Sequence, residues 1–311
     1  VKSLEGRSLL ALMDFTPEEI RYLLDLAHRV KQEQATAERP QRFRGRTLAM
    51  LFEKRSTRTR AAFETAFGEE GGHPVFLSSA DIQLGAKETI EDTARVLGRM
   101  FDIIEFRGFC HKTVEKLARH AGVPVMNGLT DQWHPTQALA DLLTIEEHTG
   151  ALEGVVSVYC GDGRNNVSNS LLVGAAAMGL HHHVICPRAL APDPDLLAAV
   201  AARQDFPGTV TVHTDLESLP PEARVIYTDV WVSMGEEGQE AERKALLSPF
   251  QVTDQVMAQA PEAIFLHCLP AVRGNEMTAT VIDGPASRVW DQAENRKHTI
   301  KAVMLASLGL A

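Results

Sequence analysis

Short apolar runs alternate with helix-forming stretches along this chain, and the rhythm occurs twice, which leaves few folds open. In the first half, residues 47–52, 101–106 and 123–126 read as strands, and 60–67, 90–100, 113–120 and 135–148 as helices. An earlier helix opens at Thr16-Pro17-Glu18-Glu19, where Thr16 can cap, Pro17 suits the first helical position and Glu19 completes a capping box. In the second half, 155–160, 183–186, 210–213, 225–229 and 264–269 read as strands, with a helix over 167–178 and a last helix over about 294–308. Alternation of this kind implies parallel sheets joined by crossover helices. The expected fold class is α/β, with two doubly wound domains of mainly parallel sheet and the C-terminal helix packing back on the first domain. The expected domains are 1–149, joined by 293–311, and 150–292. A length of 311 residues agrees, because single cores stop growing near that size.

Composition removes several functions. The net charge of -10 disfavours nucleic acid and anionic membranes, although one basic pocket can still hold an anion. No apolar run reaches the roughly 20 residues of a membrane helix, and Lys2, Glu5 and Arg7 interrupt any signal-like N-terminal run. Cys110, Cys160, Cys186 and Cys268 have neither zinc-ligand spacing nor the density of a disulfide framework. A reduced, cytoplasmic setting is therefore expected.

Ser56-Thr57-Arg58-Thr59-Arg60 stands between a strand and a helix. A helix N-terminus offers unpaired N–H groups and a partial positive charge. Hydroxyls at Ser56, Thr57 and Thr59 add donors, and Arg58 can grip phosphate oxygens bidentately. A solvated cap flanked by surface arginines would carry the same residue types. It is not a Walker loop, because the glycines and the Gly-Lys-Ser/Thr ending are missing. Arg107, just past a strand, and His134-Pro135-Thr136-Gln137, opening a helix, fall where open α/β sheets place ligand groups.

In the second half, Gly161-Asp162-Gly163-Arg164-Asn165-Asn166 follows a strand and looks superficially like a dinucleotide fingerprint. Asn166 occupies the position of the third glycine, which weakens that reading. Asparagines there suit helix capping or amide contacts to a small zwitterion. Asp229-Val230-Trp231-Val232-Ser233-Met234-Gly235 puts a carboxylate at a strand end, where it can meet a cationic amine. His267-Cys268-Leu269-Pro270 ends another strand, and adjacent strand residues point to opposite faces, so His267 and Cys268 are not read as a base–nucleophile pair. His181-His182-His183 lacks single-metal spacing and is expected at a loop-to-strand join.

Together these segments resemble the aspartate/ornithine carbamoyltransferase family over essentially the whole chain. The resemblance implies that Ser56, Thr57, Arg58 and Thr59 hold the phosphate of carbamoyl phosphate. Arg107, His134 and Gln137 would bind the carbamoyl end, and Gln83, Cys268, Leu269 and Arg296 would complete that substrate's contacts. Asn166, Asp229, Ser233 and Met234 would contact L-ornithine, with Cys268 beside the attacking amine. Asp81-Ile82-Gln83-Leu84-Gly85, the Ser-Met-Gly turn and His-Cys-Leu-Pro resemble the ornithine branch; Lys87, the one feature suggestive of the aspartate branch, is read as a solvated loop lysine. Val272 departs from the histidine of many relatives. The implied catalytic set is Arg58, Arg107, His134, Asp229 and Cys268, without metal or organic cofactor. The implied partners are carbamoyl phosphate, L-ornithine and copies of the chain itself, as a homotrimer or a multiple of trimers.

Overall fold

The computed structural model describes residues 3–34, 40–78, 88–232 and 237–311. The described residues form two compact units: Val1–Ala140 with Glu294–Ala311, and Asp141–Ala293. The division lies between Ala140 and Asp141, inside a helix, ahead of the 149/150 boundary expected from the two runs of alternating elements.

The first unit holds α1 (Pro17–Glu33), β1 (Thr47–Phe52), α2 (Thr57–Gly68), β2 (His73–Ser78), α3 (Ile90–Met100), β3 (Ile103–Arg107), α4 (His111–Ala121), β4 (Val125–Leu129) and the start of α5 (Pro135–Thr149). Its four strands are parallel, in the order β2-β1-β3-β4. The capping box at Thr16 and Glu19 forms as expected. Strand β2 carries no recognisable apolar alternation, and its residues are largely half-buried, as suits a sheet edge. On β3, Ile104 and Phe106 join a cluster with Val114, Leu117 and Ala94. The period of two then sends Ile103, Glu105 and Arg107 to the other face.

The second unit contains β5 (Val156–Cys160), α6 (Asn166–Ala177), β6 (His181–Ile185), α7 (Pro194–Ala201), β7 (Thr209–His213), β8 (Val225–Thr228), α8 (Glu240–Leu247), α9 (Asp254–Gln259), β9 (Ile264–His267), α10 (Ala279–Ile282) and the start of α11 (Val289–Ser307). Its five strands are also parallel, in the order β7-β6-β5-β8-β9. Val158, Ile226 and Phe265 pack with Phe250, Val256 and Val281.

Three expectations need correction. The histidine run lies within β6, not at a loop join. His182 is buried against Ser157 (2.9 Å), while His181 and His183 reach Thr209 and His213 of β7, each at 2.9 Å. Cross-strand pairing supplies what local propensity lacks. Helix α2 begins at Thr57, three residues before Arg60, so the hydroxyl-rich motif is itself the first helical turn. Helix α11 begins at Val289, so Glu294-Asn295-Arg296 lies inside it. Farther along α11, Lys301 pairs with Glu69 (3.3 Å) and Glu70 (3.4 Å), and Glu70 takes a two-point grip from Arg42. The Lys301 pairs are part of how the C-terminal helix packs back on the first unit.

Candidate active site

Strand order locates the two candidate regions. In the first unit the chain leaves β1 for β2 on one side and later takes β3 on the other. The carboxyl ends of β1 and β3 therefore flank a topological switch point, where the following segments diverge and a ligand can enter. Ser56 to Thr59 follow β1, and Arg107 ends β3 opposite Phe52.

Ser56 caps α2, its Oγ accepting from the Thr59 N–H at 3.1 Å. That uses one of the four orphan donors of the helix start. Thr59 Oγ1 is fully buried and accepts from two guanidinium groups, Arg107 Nη1 at 3.0 Å and Arg296 Nη2 at 3.1 Å. Arg296 also donates to Gln137 Oε1 at 3.1 Å and Thr136 Oγ1 at 3.4 Å. Thr136 in turn lies 3.4 Å from His134 Nδ1. A single connected set thus joins α2, β3, α5 and α11.

Burial acts on the titratable groups around this set. His134 is held well below the usual imidazole range, by burial first and then by Arg296, Arg107 and Arg58, so it is neutral. Glu105 shares the Arg107 face of β3, and both of its carboxyl oxygens are buried without a hydrogen-bond partner. Burial pushes its carboxyl well above the usual range, although Arg107 and Arg296 pull the other way. Burial thus disfavours the charged form of the carboxyl that stands nearest these arginines on the strand. Gly128 makes room for it, since a Cβ there would lie 1.9 Å from Glu105 Oε1. A cleft of about 450 Å³ opens beside Ser56 and Thr57, walled by Phe52, Phe76, Arg55 and Arg60. Arg60 stacks over Phe76 at 3.8 Å and pairs with Glu64, so it stands apart from the guanidinium set.

In the second unit the switch point lies between β5 and β8. After β5, Gly161 turns at φ 140°. Asp162 then accepts from the Arg164 N–H at 2.9 Å and pairs with buried Arg243, which also holds the Trp231 carbonyl. Asn165 caps α6, its Oδ1 accepting from Ser168 N–H at 2.7 Å, and Asn166 is the first helical residue. After β8, Asp229 is buried. Its Oδ1 accepts from Val230 N–H at 2.7 Å and Cys268 Sγ at 3.0 Å, and its Oδ2 accepts from Asn165 Nδ2 at 3.2 Å. Burial raises the Asp229 carboxyl above its ordinary value, against the pull of His267, Cys268 and the Val230 N–H.

His267 and Cys268 separate as the strand geometry requires. His267 Nδ1 accepts from Leu269 N–H at 2.8 Å, which leaves the ring proton on Nε2 to donate to Glu276 Oε1 at 3.1 Å. Asp229, His267 and Cys268 each bring a donor atom within 4.8 Å of the others, but both ring nitrogens of His267 are already committed. Leu269 adopts a left-handed φ of 59°, uncommon outside glycine, and this swings the chain away from β9 directly after Cys268.

Residues 7–147 match the aspartate/ornithine carbamoyltransferase carbamoyl-P binding domain, and residues 153–307 match the Asp/Orn binding domain of the same family. The chain belongs to this carbamoyltransferase family. It is 60% identical to the ornithine carbamoyltransferase of Thermotoga maritima and 59% identical to that of Caldanaerobacter subterraneus subsp. tengcongensis, covering 98% of this chain and 99% of each relative. The solved ornithine carbamoyltransferase from Pyrococcus furiosus superposes with a TM-score of 0.95 at 46% identity over 99% of both chains.

In this carbamoyltransferase, Ser56, Thr59, Arg107, His134, Gln137 and Arg296 form one group in the first unit, with Thr57 and Arg58 on the same helical turn. Asp229 and Cys268 are in contact in the second unit, with Asn166 next to Asp229's partner Asn165 and Leu269 next to Cys268. Gln83, Ser233 and Met234 lie outside the described residues, as does Lys87. Sequence reasoning missed Glu105, Thr136, Tyr159, Arg243 and Glu276 as neighbours of these groups. Glu105 had a usable signal: a residue two before Arg107 on a strand shares its face. Arg243 and Glu276 had none, because only tertiary folding brings them in.

Proposed function

We propose that the protein transfers the carbamoyl group of carbamoyl phosphate to the side-chain amine of L-ornithine, giving L-citrulline and phosphate, a step of arginine metabolism. The observation that carries this reading is the convergence of Arg107 and Arg296 on the buried Thr59 hydroxyl, beside the α2 N-terminus. Such a set suits a phosphate dianion and the charge that develops as it leaves. The names carried by relatives about 60% identical to this chain support the acceptor.

In this reading Ser56, Thr57, Arg58 and Thr59 take the phosphate oxygens, with Gln83 as a further contact. Arg107, neutral His134, Gln137 and Arg296 orient the carbamoyl group and stabilise its oxygen, with Cys268 and Leu269 as further contacts. Asn166, Ser233 and Met234 hold ornithine, and Asp229 receives its side-chain ammonium. An amine of this type has an ordinary pKa of roughly 10.4 and is protonated at neutral pH. One proton must therefore leave before the nitrogen lone pair attacks. Asp229 and Cys268 orient the amine and pass that proton on, with the departing phosphate as its final acceptor. The new C–N bond forms as the C–O bond to phosphate breaks, and no covalent enzyme intermediate is needed.

The chain is proposed to act in the cytoplasm, and no helix among the described residues is long and apolar enough to cross a membrane. A homotrimer, or a multiple of trimers, is proposed as the assembly. Val96, Met100 and Phe109 are exposed apolar side chains of the first unit that suit a subunit interface. Light scattering should give three times the 34.1 kDa chain mass, or a multiple of that.

The test is an acceptor panel at saturating carbamoyl phosphate: ornithine, aspartate, putrescine and N-acetylornithine. Turnover with ornithine alone is expected. Preference for another amine would keep the donor half and overturn the acceptor.

A further inference from the structure

Of the roles open to the asparagines at the start of α6, Asn165 takes that of the helix cap, but the cap uses only its amide oxygen. Its Oδ1 accepts from the Ser168 N–H at 2.7 Å. Because that partner is a donor, the amide orientation is decided, and Nδ2 must face the other way. There Nδ2 donates to Tyr159 Oη at 2.8 Å and to Asp229 Oδ2 at 3.2 Å. Both amide hydrogens and the amide oxygen are thus engaged. Tyr159 is fully buried at the centre of the sheet and packs on Tyr227 with ring centroids 5.8 Å apart, so its hydroxyl is a fixed point.

The consequence lies at Asp229. A carboxylate has about four lone-pair directions. Val230 N–H and Cys268 Sγ occupy those of Oδ1, and Asn165 occupies one of Oδ2. Among the described residues, one direction remains for an ammonium group. The side chain that starts α6 therefore also determines where Asp229 can accept.

We propose that Asn165 is a positioning residue for the acceptor amine: by bridging Tyr159 and Asp229 it aims the remaining lone pair of Asp229 at the substrate nitrogen. This rests on the reading of Asp229 as the partner of the amine. Asn165 itself need not touch either substrate.

Serine and aspartate both cap helices about as well as asparagine. Asn165→Ser keeps the cap and removes the donor to Asp229. Asn165→Asp keeps the cap and replaces the donor with a second carboxylate. Both should unfold within about 3 °C of wild type, as a retained cap implies. The kcat/KM for ornithine should fall about 10- to 100-fold in Asn165→Ser, the scale of one charge-assisted hydrogen bond. It should fall further in Asn165→Asp. The carbamoyl phosphate concentration for half-maximal rate should stay within about twofold, since a single hydrogen bond at the amine side makes no contact with the donor. Wild-type kcat/KM in both folded variants, or equal losses toward both substrates, would overturn the positioning role alone. A wild type that does not carbamoylate ornithine would overturn this role together with the reading beneath it.

Discussion

The two switch points use the same topology for opposite electrostatic purposes. At the end of β1 and β3, two guanidiniums share one threonine oxygen, and burial disfavours the charged forms of His134 and Glu105. At the end of β5 and β8, a buried carboxylate stands among hydrogen-bond donors, but burial still lifts its pKa. The first region gathers guanidiniums at a helix start, which on the proposed function meet a phosphate dianion. The second keeps a carboxylate that is expensive to ionise until a cation arrives. A parallel sheet supplies only the place where strand ends diverge. The side chains after each strand decide the sign of what binds.

If this contrast is right, variants in the two regions should fail in different ways. The largest effect is expected from Arg58→Gly, which should lower kcat by about 10³-fold or more, in line with the loss of a fixed transition-state donor, while circular dichroism stays native. Retained turnover in the folded variant would remove Arg58 from the phosphate clamp.

Next comes Asp229→Asn. Its kcat/KM for ornithine should fall by about 10²- to 10³-fold, the range of a general acid–base contribution, with carbamoyl phosphate dependence little changed. The amide oxygen can still accept from Val230 N–H and Cys268 Sγ, but the amide nitrogen then faces the Asn165 Nδ2 donor, so the variant should also unfold at a lower temperature than wild type. A melting temperature at or above that of wild type would show that this contact carries no weight in stability.

Cys268→Ala should cost less, about 10-fold in kcat/KM for ornithine, the value of a single hydrogen bond to a charged group. A stable acyl adduct on Cys268, detected by mass spectrometry, would contradict its role as an orienting group. Tyr159→Phe keeps the ring stack and removes only the acceptor for the Asn165 amide. It should lower kcat/KM a few-fold, as expected for one neutral hydrogen bond.

The smallest effect concerns the scaffold shared by both regions. Burial lowers His182 to about 3 and His298 to about 4. Below the unfolded histidine pKa of about 6.5, the unfolded chain takes up protons that these folded side chains refuse. Stability should therefore fall as pH drops below about 6.5, by on the order of 2 kcal/mol for His182 by pH 5. His182→Gln should flatten that acid limb in a thermal melt series without altering turnover at pH 8. An unchanged slope would show that other groups dominate acid unfolding.

Much of this organisation was legible before any coordinates, for reasons that differ by residue. Strand β1 spans the same 47–52 that apolar patterning gives, because fully buried parallel strands are nearly continuous apolar runs. Gly122 ends α4 in the left-handed region, the usual place for a glycine just past a helix. The edge strand β2, and His181 and His182 at the start of β6, were not legible, since neighbouring strands decide their conformation. At the candidate site, residues in contiguous motifs were found, whereas Thr136 as a link to Arg296, Glu105 under the arginines and Arg243 behind Asp162 depend on contacts distant in sequence. Asn165 was half legible: its cap is local, and its grip on Asp229 spans two strands.

The central claim is that the first region delivers a carbamoyl group and the second directs it to the amine of ornithine. The most direct measurement follows the carbon itself: purified protein, carbamoyl phosphate labelled with ¹³C and unlabelled ornithine, monitored by ¹³C NMR alongside phosphate release. The expected result is label in the ureido carbon of citrulline, one phosphate for each citrulline formed. Label recovered only as hydrolysis products, or on an amine other than ornithine when both are offered, would contradict it.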